Sequence, residues 1–327
     1  MDQTNHQPDI KRIFGNIALI FVAVFLPGIE WSLFGWVQLF LPILVFVFLV
    51  KYGTFVGSRF ILSGAGLALL VGLFTQPIDV LLFSLSLIPA GYVLARSALQ
   101  GDSPAVSGLK GAATLAACWG LLIAGIGVVT GNSPYNAILT TLNSGIDSVV
   151  KEYSQNEQIA PDTAIMLEAT LEQMKVVVPI ILPAMFLSCA MFSTWFTMVL
   201  GNRLAQKYAG REVWPRYRFW QLPDKLIWLG ILSAFMAFLP LGPLKGVAVN
   251  ILILLSVLYC IQGFAVCVFF MNKWNVPILL RSFIYVMIAL QSLGTIMLLM
   301  IGVADTWLNF RKLNVPDTES KEDSQDE

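Results

Sequence analysis

Few residues in this sequence can do chemistry inside its apolar runs. Asp305, in "IGVADTWLNFRKL", stands at the end of one run, with Asn309 and Arg311 following it. At about 100° per residue, a helical end would put Asp305 and Asn309 on one face and turn Arg311 away. No direct Asp305–Arg311 pair is therefore expected within one helix. Two readings stay open for Asp305. It caps a neighbouring turn while Trp307, Phe310, Arg311 and Lys312 anchor at the headgroups, or it pairs with an arginine of another run, Arg281 or Arg96. The other polar residues in apolar surroundings are Asn16, Gln38, Asn250, Gln262 and Gln291. No chain of Asp, Glu and His crosses the apolar interior, which disfavours a proton-driven pump. The sequence has no P-loop, HExxH or GxSxG signature, so an enzyme is not expected.

All four cysteines (Cys118, Cys189, Cys260 and Cys267) lie in apolar runs without C-x-x-C spacing, and the single histidine, His6, sits in a polar leader. They read as small buried hydrophobes, not as a disulfide framework or a metal site, and no cofactor is expected.

The elements that must position these residues follow from composition. Of the 327 residues, 57% are hydrophobic and 12% charged, about half the charge of a soluble protein. Apolar runs of about 20 residues recur, enough to cross a hydrocarbon core about 30 Å thick. Backbone groups in lipid must be satisfied internally, and continuous apolar runs choose helices over a barrel. The expected fold is an all-α polytopic membrane bundle with eight to nine transmembrane helices and an outer amphipathic helical segment. Nine spans can be drawn at 13–30, 33–50, 55–75, 78–96, 108–130, 174–200, 225–241, 246–271 and 277–303. The expected organisation is a polar leader (1–12), a first bundle (13–130), outer amphipathic helices (131–173) and a second bundle (174–313). The second bundle carries a basic loop at 201–224, and an acidic tail (314–327) reads as disordered. Nothing resembles a nucleic-acid-binding domain, and no internal repeat is evident.

Charge counting orients the bundle. With a cytoplasmic N-terminus, 14 of the 20 Lys and Arg fall inside and six fall outside. Among the six, Arg311, Lys312 and Lys321 follow the last span, and an even number of spans would bring them in, making the count 17 to 3. The 277–303 run is too long for one untilted span and too short for two. A break near Gly294 would resolve the parity; the side of the C-terminus stays open.

Three features could act beyond packing. In the fifth span Gly108, Ala112, Ala116, Gly120 and Ala124 recur every four residues. Small residues let helices approach closely in lipid, so this span is expected at the centre of the bundle. The segment 131–173 reads as two amphipathic helices, lying in the interface or capping a cavity. The loop "GNRLAQKYAGREVWPRYRFWQLPDK" mixes basic and aromatic residues, including Arg216, Arg218 and Asp224. It either anchors at the anionic inner leaflet or docks a partner.

Three stretches, "RFWQLPDKLIWLGIL" (218–232), "LYCIQGFAVCVFFMNK" (258–273) and "IGVADTWLNFRKL" (301–313), resemble YybS-like bacterial membrane proteins, a domain of unknown function. The resemblance implies a multi-pass protein of the bacterial inner membrane. Those proteins have been likened to the substrate-binding S components of energy-coupling-factor transporters. The resemblance, the outer amphipathic helices and the absence of catalytic motifs make binding or passage of a small solute the expected function. The alternative, from the basic aromatic loop 201–224, is a non-transporting scaffold that recruits a membrane or cytoplasmic protein. Arg216, Arg218, Asp224, Gln262, Asp305 and Arg311 are the candidate structural or partner contacts, and the lipid bilayer is the common partner.

Overall fold

A computed structural model of the chain describes residues 10–154, 161–240 and 242–313. His6, most of the polar leader and the acidic tail lie outside the described residues. Among the described residues every regular element is helical. The chain divides into two units, Met1–Trp214 and Pro215–Glu327. The division falls inside the basic loop, so the span expected at 174–200 belongs to the first unit.

In the first unit, α1 (Ile10–Phe25) leads through α2 (Trp31–Phe34) to α3 (Leu41–Thr75). The helical stretch Trp31–Thr75 has 45 residues. At 1.5 Å per residue that is about 68 Å, over twice the hydrocarbon thickness. Gly53 divides it, with φ 78° and ψ 167°, a conformation open to glycine because it has no side chain to clash. The turn brings Gly57 back so far that a Cβ there would stand 2.9 Å from the Phe48 carbonyl oxygen. Two expected spans, 33–50 and 55–75, are thus the two arms of one bent helix.

The helices α4 (Ile78–Ser86) and α5 (Ile88–Leu99) share the next apolar stretch, followed by α6 (Pro104–Thr130). The expected central position of α6 is not what the structure shows. The most apolar window of the Trp31–Thr75 stretch is 56% buried, against 11% for α6. The buried line of α6 is Ser107, Gly111, Leu115 and Trp119, offset from the expected stripe. Gly108, Ala112 and Ala116 are half-buried, whereas Gly120 and Ala124 are exposed. A strict four-residue repeat gains about 40° per step on a helix of 3.6 residues per turn. The stripe therefore winds from the edge of the buried face to the opposite side. Close approach occurs instead at Gly111, where a Cβ would lie 2.7 Å from Leu94 and 2.8 Å from Thr194.

α7 (Pro134–Ser154) and α8 (Pro161–Ala209) complete the unit. The second expected amphipathic helix is continuous with the sixth span, because α8 runs for 49 residues, about 74 Å. Pro183 lies inside it and cannot donate to the carbonyl one turn back, that of Pro179. The Tyr135 hydroxyl of α7 donates to that carbonyl at 3.3 Å. Lys175 adds a 2.6 Å contact to Asp147 of α7 and another to Glu172.

The second unit contains α9 (Leu226–Phe238), α10 (Pro243–Lys273), α11 (Ile278–Leu290) and α12 (Ser292–Leu308). Ile227, Leu255 and Tyr259 form its buried core, with Leu226, Leu299 and Val303 packed around them. α10 and α12 cross at two glycines. A Cβ on Gly263 would overlap the Leu298 carbonyl oxygen, and one on Gly302 would overlap that of Tyr259. The expected break in the last span falls at Gln291, where α11 and α12 meet at 101°.

Among the described residues, five helices are long and apolar enough to cross a membrane, or six if α11 and α12 make one bent span. This is fewer than the eight to nine expected. The stretch 31–75 joins two expected spans, and α1 and α9 are short. With 16 and 13 residues, they reach about 24 and 20 Å, less than the hydrocarbon thickness.

Candidate functional site

The charged residues that could do chemistry meet in the second unit. α12 ends at Asn309, which adopts a left-handed conformation (φ 41°) while its N–H donates to the Asp305 carbonyl. Asparagine tolerates this conformation and terminates helices with it. A second positive φ at Lys312 (51°) and a bond from the Leu313 N–H to the Asn309 side chain tighten the turn. Arg311 is thereby folded back onto the helix it follows, and its Nη2 donates to Asp305 Oδ2 at 2.7 Å. The expectation that the two would not pair assumed a continuing helix, and the helix stops between them. Within its own unit Asp305 thus pairs with Arg311 and not with Arg281, which donates to the Met271 and Val276 carbonyls. Arg96, the other expected partner, is an exposed residue of the first unit.

Both partners are buried, with side chains 1% and 0% exposed. Such a pair is retained only if other hydrogen bonds offset desolvation. Gln262 of α10 donates to Asp305 Oδ2 at 3.1 Å, and its own carbonyl oxygen accepts the Leu222 N–H at 3.2 Å. Arg311 Nη1 donates to the carbonyls of Arg218 and Trp220, both at 2.8 Å. Tyr217 donates to the Ile261 carbonyl at 2.5 Å, and Trp220 Nε1 to the Pro215 carbonyl at 2.6 Å. The charge pair thus grips the backbone of the segment 217–222. The C-terminal "FRKL" lies against that segment.

Four candidate contacts come together here: Arg218 through its carbonyl, Gln262, Asp305 and Arg311. Arg216 and Asp224 do not join them; both are exposed, at either end of the segment. The guanidinium of Arg218 lies over the Phe219 ring at 4.7 Å.

The first unit holds a separate polar chain that composition did not reveal. Buried Asn202 accepts from the N–H groups of Val213 and Trp214 and donates to the Trp214 carbonyl at 2.9 Å. The Trp214 ring stacks on Phe46 at 5.2 Å and donates to Ser107 at 3.2 Å. Ser107 contacts Ser97 at 2.9 Å, and Ser97 donates to Asp102 at 2.5 Å. Because Ser97 gives its proton to Asp102, Ser107 must donate to Ser97, so the dipoles align toward the carboxylate. Lys110 and then Ser97 hold the Asp102 carboxyl below the usual carboxylate range. Elsewhere Gln38 donates to Ser84 at 2.7 Å, and Asn250 to its own helix.

Among the described residues, no three His, Cys, Asp or Glu side chains cluster to hold a metal, and the four cysteines are free. No curated protein and no solved structure matches the chain. One family model does match, over residues 17–306. It covers every described helix except the first turns of α1 and the last residues of α12, including the crossing of α10 and α12 and Asp305 itself. The chain belongs to that family, the multi-pass membrane proteins described as "Predicted membrane protein (DUF2232)".

Proposed function

We propose that this protein is a non-catalytic scaffold of the bacterial inner membrane that displays a fixed basic and aromatic segment to a protein partner. One observation carries this reading. Within the second unit, Arg311 and Gln262 bind the backbone of 217–222 and the Tyr217 hydroxyl ties the segment to the Ile261 carbonyl of α10, while Arg216 and Phe219 stay exposed. Ordering a segment in advance lowers the entropic cost of binding, which is what a recognition surface needs. The first unit separately exposes Arg203, Lys207 and Arg211. A partner with an acidic surface and an apolar pocket for Phe219 fits this chemistry. The contact between Arg311 and the backbone of 217–222 supports a topology with Arg311 and the basic loop on the same side, the even-span case in which 17 of the 20 Lys and Arg would lie inside.

The alternative, binding or passage of a small solute, follows from the YybS-like resemblance and its S-component analogy. Photo-crosslinking from position 219 in intact membranes separates the two. The scaffold predicts one discrete protein adduct that is lost in Arg311→Met. Adducts with lipid alone would contradict it, and a solute retained by the purified protein in native mass spectrometry would favour the alternative.

A further inference from the structure

A groove of about 600 Å³ opens on the first unit, lined by one face of α1 and by Lys51 and Tyr52. Its wall on α1 is built from Gly15, Ala18, Leu19 and Val22, with Asn16 beside them. Two contacts fix its direction. Gly64 lies against Ile17 and Ile20, and Gln76 lies against Gly28 and the Phe25 carbonyl. α1 and the second arm of α3 therefore run the same way. Lys51, just before the Gly53 turn, belongs at the N-terminal end of the groove.

The groove is consequently polar at one end and apolar along the rest. At the polar end stand the exposed Lys51 and Asn16, whose Nδ2 is buried without an acceptor among the described residues. A buried amide donor without a partner is costly, and it marks a place where an acceptor is wanted. Lys11 extends the same face one turn further, since 11, 15, 18 and 22 share a side of the helix. Two ammonium groups and an amide above an apolar channel complement one shape of molecule, an anionic headgroup carrying an acyl chain.

We propose that this groove binds an anionic phospholipid, its phosphate on Lys51 and the Asn16 amide and one acyl chain along Ala18, Leu19 and Val22. The bound lipid belongs to the leaflet that carries Lys11, where basic residues favour anionic headgroups.

The full-length protein in phosphatidylcholine nanodiscs with a minor fraction of phosphatidylglycerol provides the test. Native mass spectrometry after release should show one retained phosphatidylglycerol. Lys51→Gln should weaken retention about fivefold, the effect of one basic residue at a membrane surface. Gly15→Leu should abolish retention by filling the groove, and it is tolerated because a Cβ there meets no atom within 4 Å. Lys225→Gln, in the second unit, should change nothing. Equal retention by wild type, Lys51→Gln and Gly15→Leu would overturn the proposal, as that is annular lipid. Displacement of the lipid by inorganic phosphate would also overturn it, since the groove would then hold only an anion.

Discussion

Arg311 and Asp305 meet at 2.7 Å with both side chains shut away from solvent, although only six positions separate them along the chain. Removing one partner of a buried pair strands a charge, at a typical cost of about 3–5 kcal/mol, whereas replacing both by apolar residues is often neutral. Arg311→Met and Asp305→Leu should each lower the melting temperature sharply in detergent. The double variant should recover most of the loss, with the carbonyls of Arg218 and Trp220 still short of donors. Additive losses in the double variant would show that the two residues act independently.

The crossing of α10 and α12 depends on two missing side chains. Gly263→Ala or Gly302→Ala would drive a methyl group into a facing backbone carbonyl, and backbone cannot turn aside as a side chain can. Overpacking of this kind costs about 1–3 kcal/mol or more. Gly120→Ala, on an open face of α6, should be close to neutral. Equal thermal stability of all three variants would mean that the helices cross elsewhere.

These two sites also show what could be read in advance. Gly263 and Gly302 lie in the "IQGFAVC" and "IGVAD" stretches that carry the family resemblance. Yet one glycine on each helix makes no periodic signal, and the five-membered α6 stripe outshone them. The stripe misled because four-residue spacing drifts around a helix. Gln262 and Asp305 were legible as rare polar groups in or beside apolar runs, whereas Arg311 read as a headgroup anchor as well as a candidate contact. The pairing of Asp305 with Arg311 was not legible, because it depends on a left-handed Asn309 that breaks the helix between them. Nor could composition join Asn202 to Trp214, since that contact needs the loop folded back over α8. A break near Gly294 was legible from the length of the last run and the parity of the charges, and it falls three residues earlier, at Gln291.

Tyr135→Phe isolates the repair of α8 at Pro183. The variant removes one hydroxyl and leaves the Pro179 carbonyl without its donor from α7. The expected loss is about 0.5–1.5 kcal/mol, concentrated in α7. Hydrogen exchange should quicken over α7 and stay unchanged in α10. Unchanged exchange over α7 would show that the hydroxyl contributes nothing.

Asp102 gives a pH dependence with a defined sign. Its carboxyl is held below the ordinary value, so its contribution is fully present above about pH 4, where the unfolded chain is also ionised. That contribution is lost as pH falls further, through the folded value. Melting temperature should therefore decline in acid less steeply for Asp102→Asn than for the wild type, with no difference in slope between pH 5 and 7. A slope difference confined to that neutral range would contradict the assignment.

Hydrogen exchange of the peptide spanning 216–222 tests most directly whether the buried pair fixes the displayed segment. In the wild type the Leu222 amide, bonded to Gln262, should exchange slowly together with its neighbours. Arg311→Met should release the segment and speed its exchange, with the middle of α10 as protected as before. Protection of 216–222 that is unchanged in Arg311→Met would contradict the claim that Arg311 and Asp305 hold that segment in place.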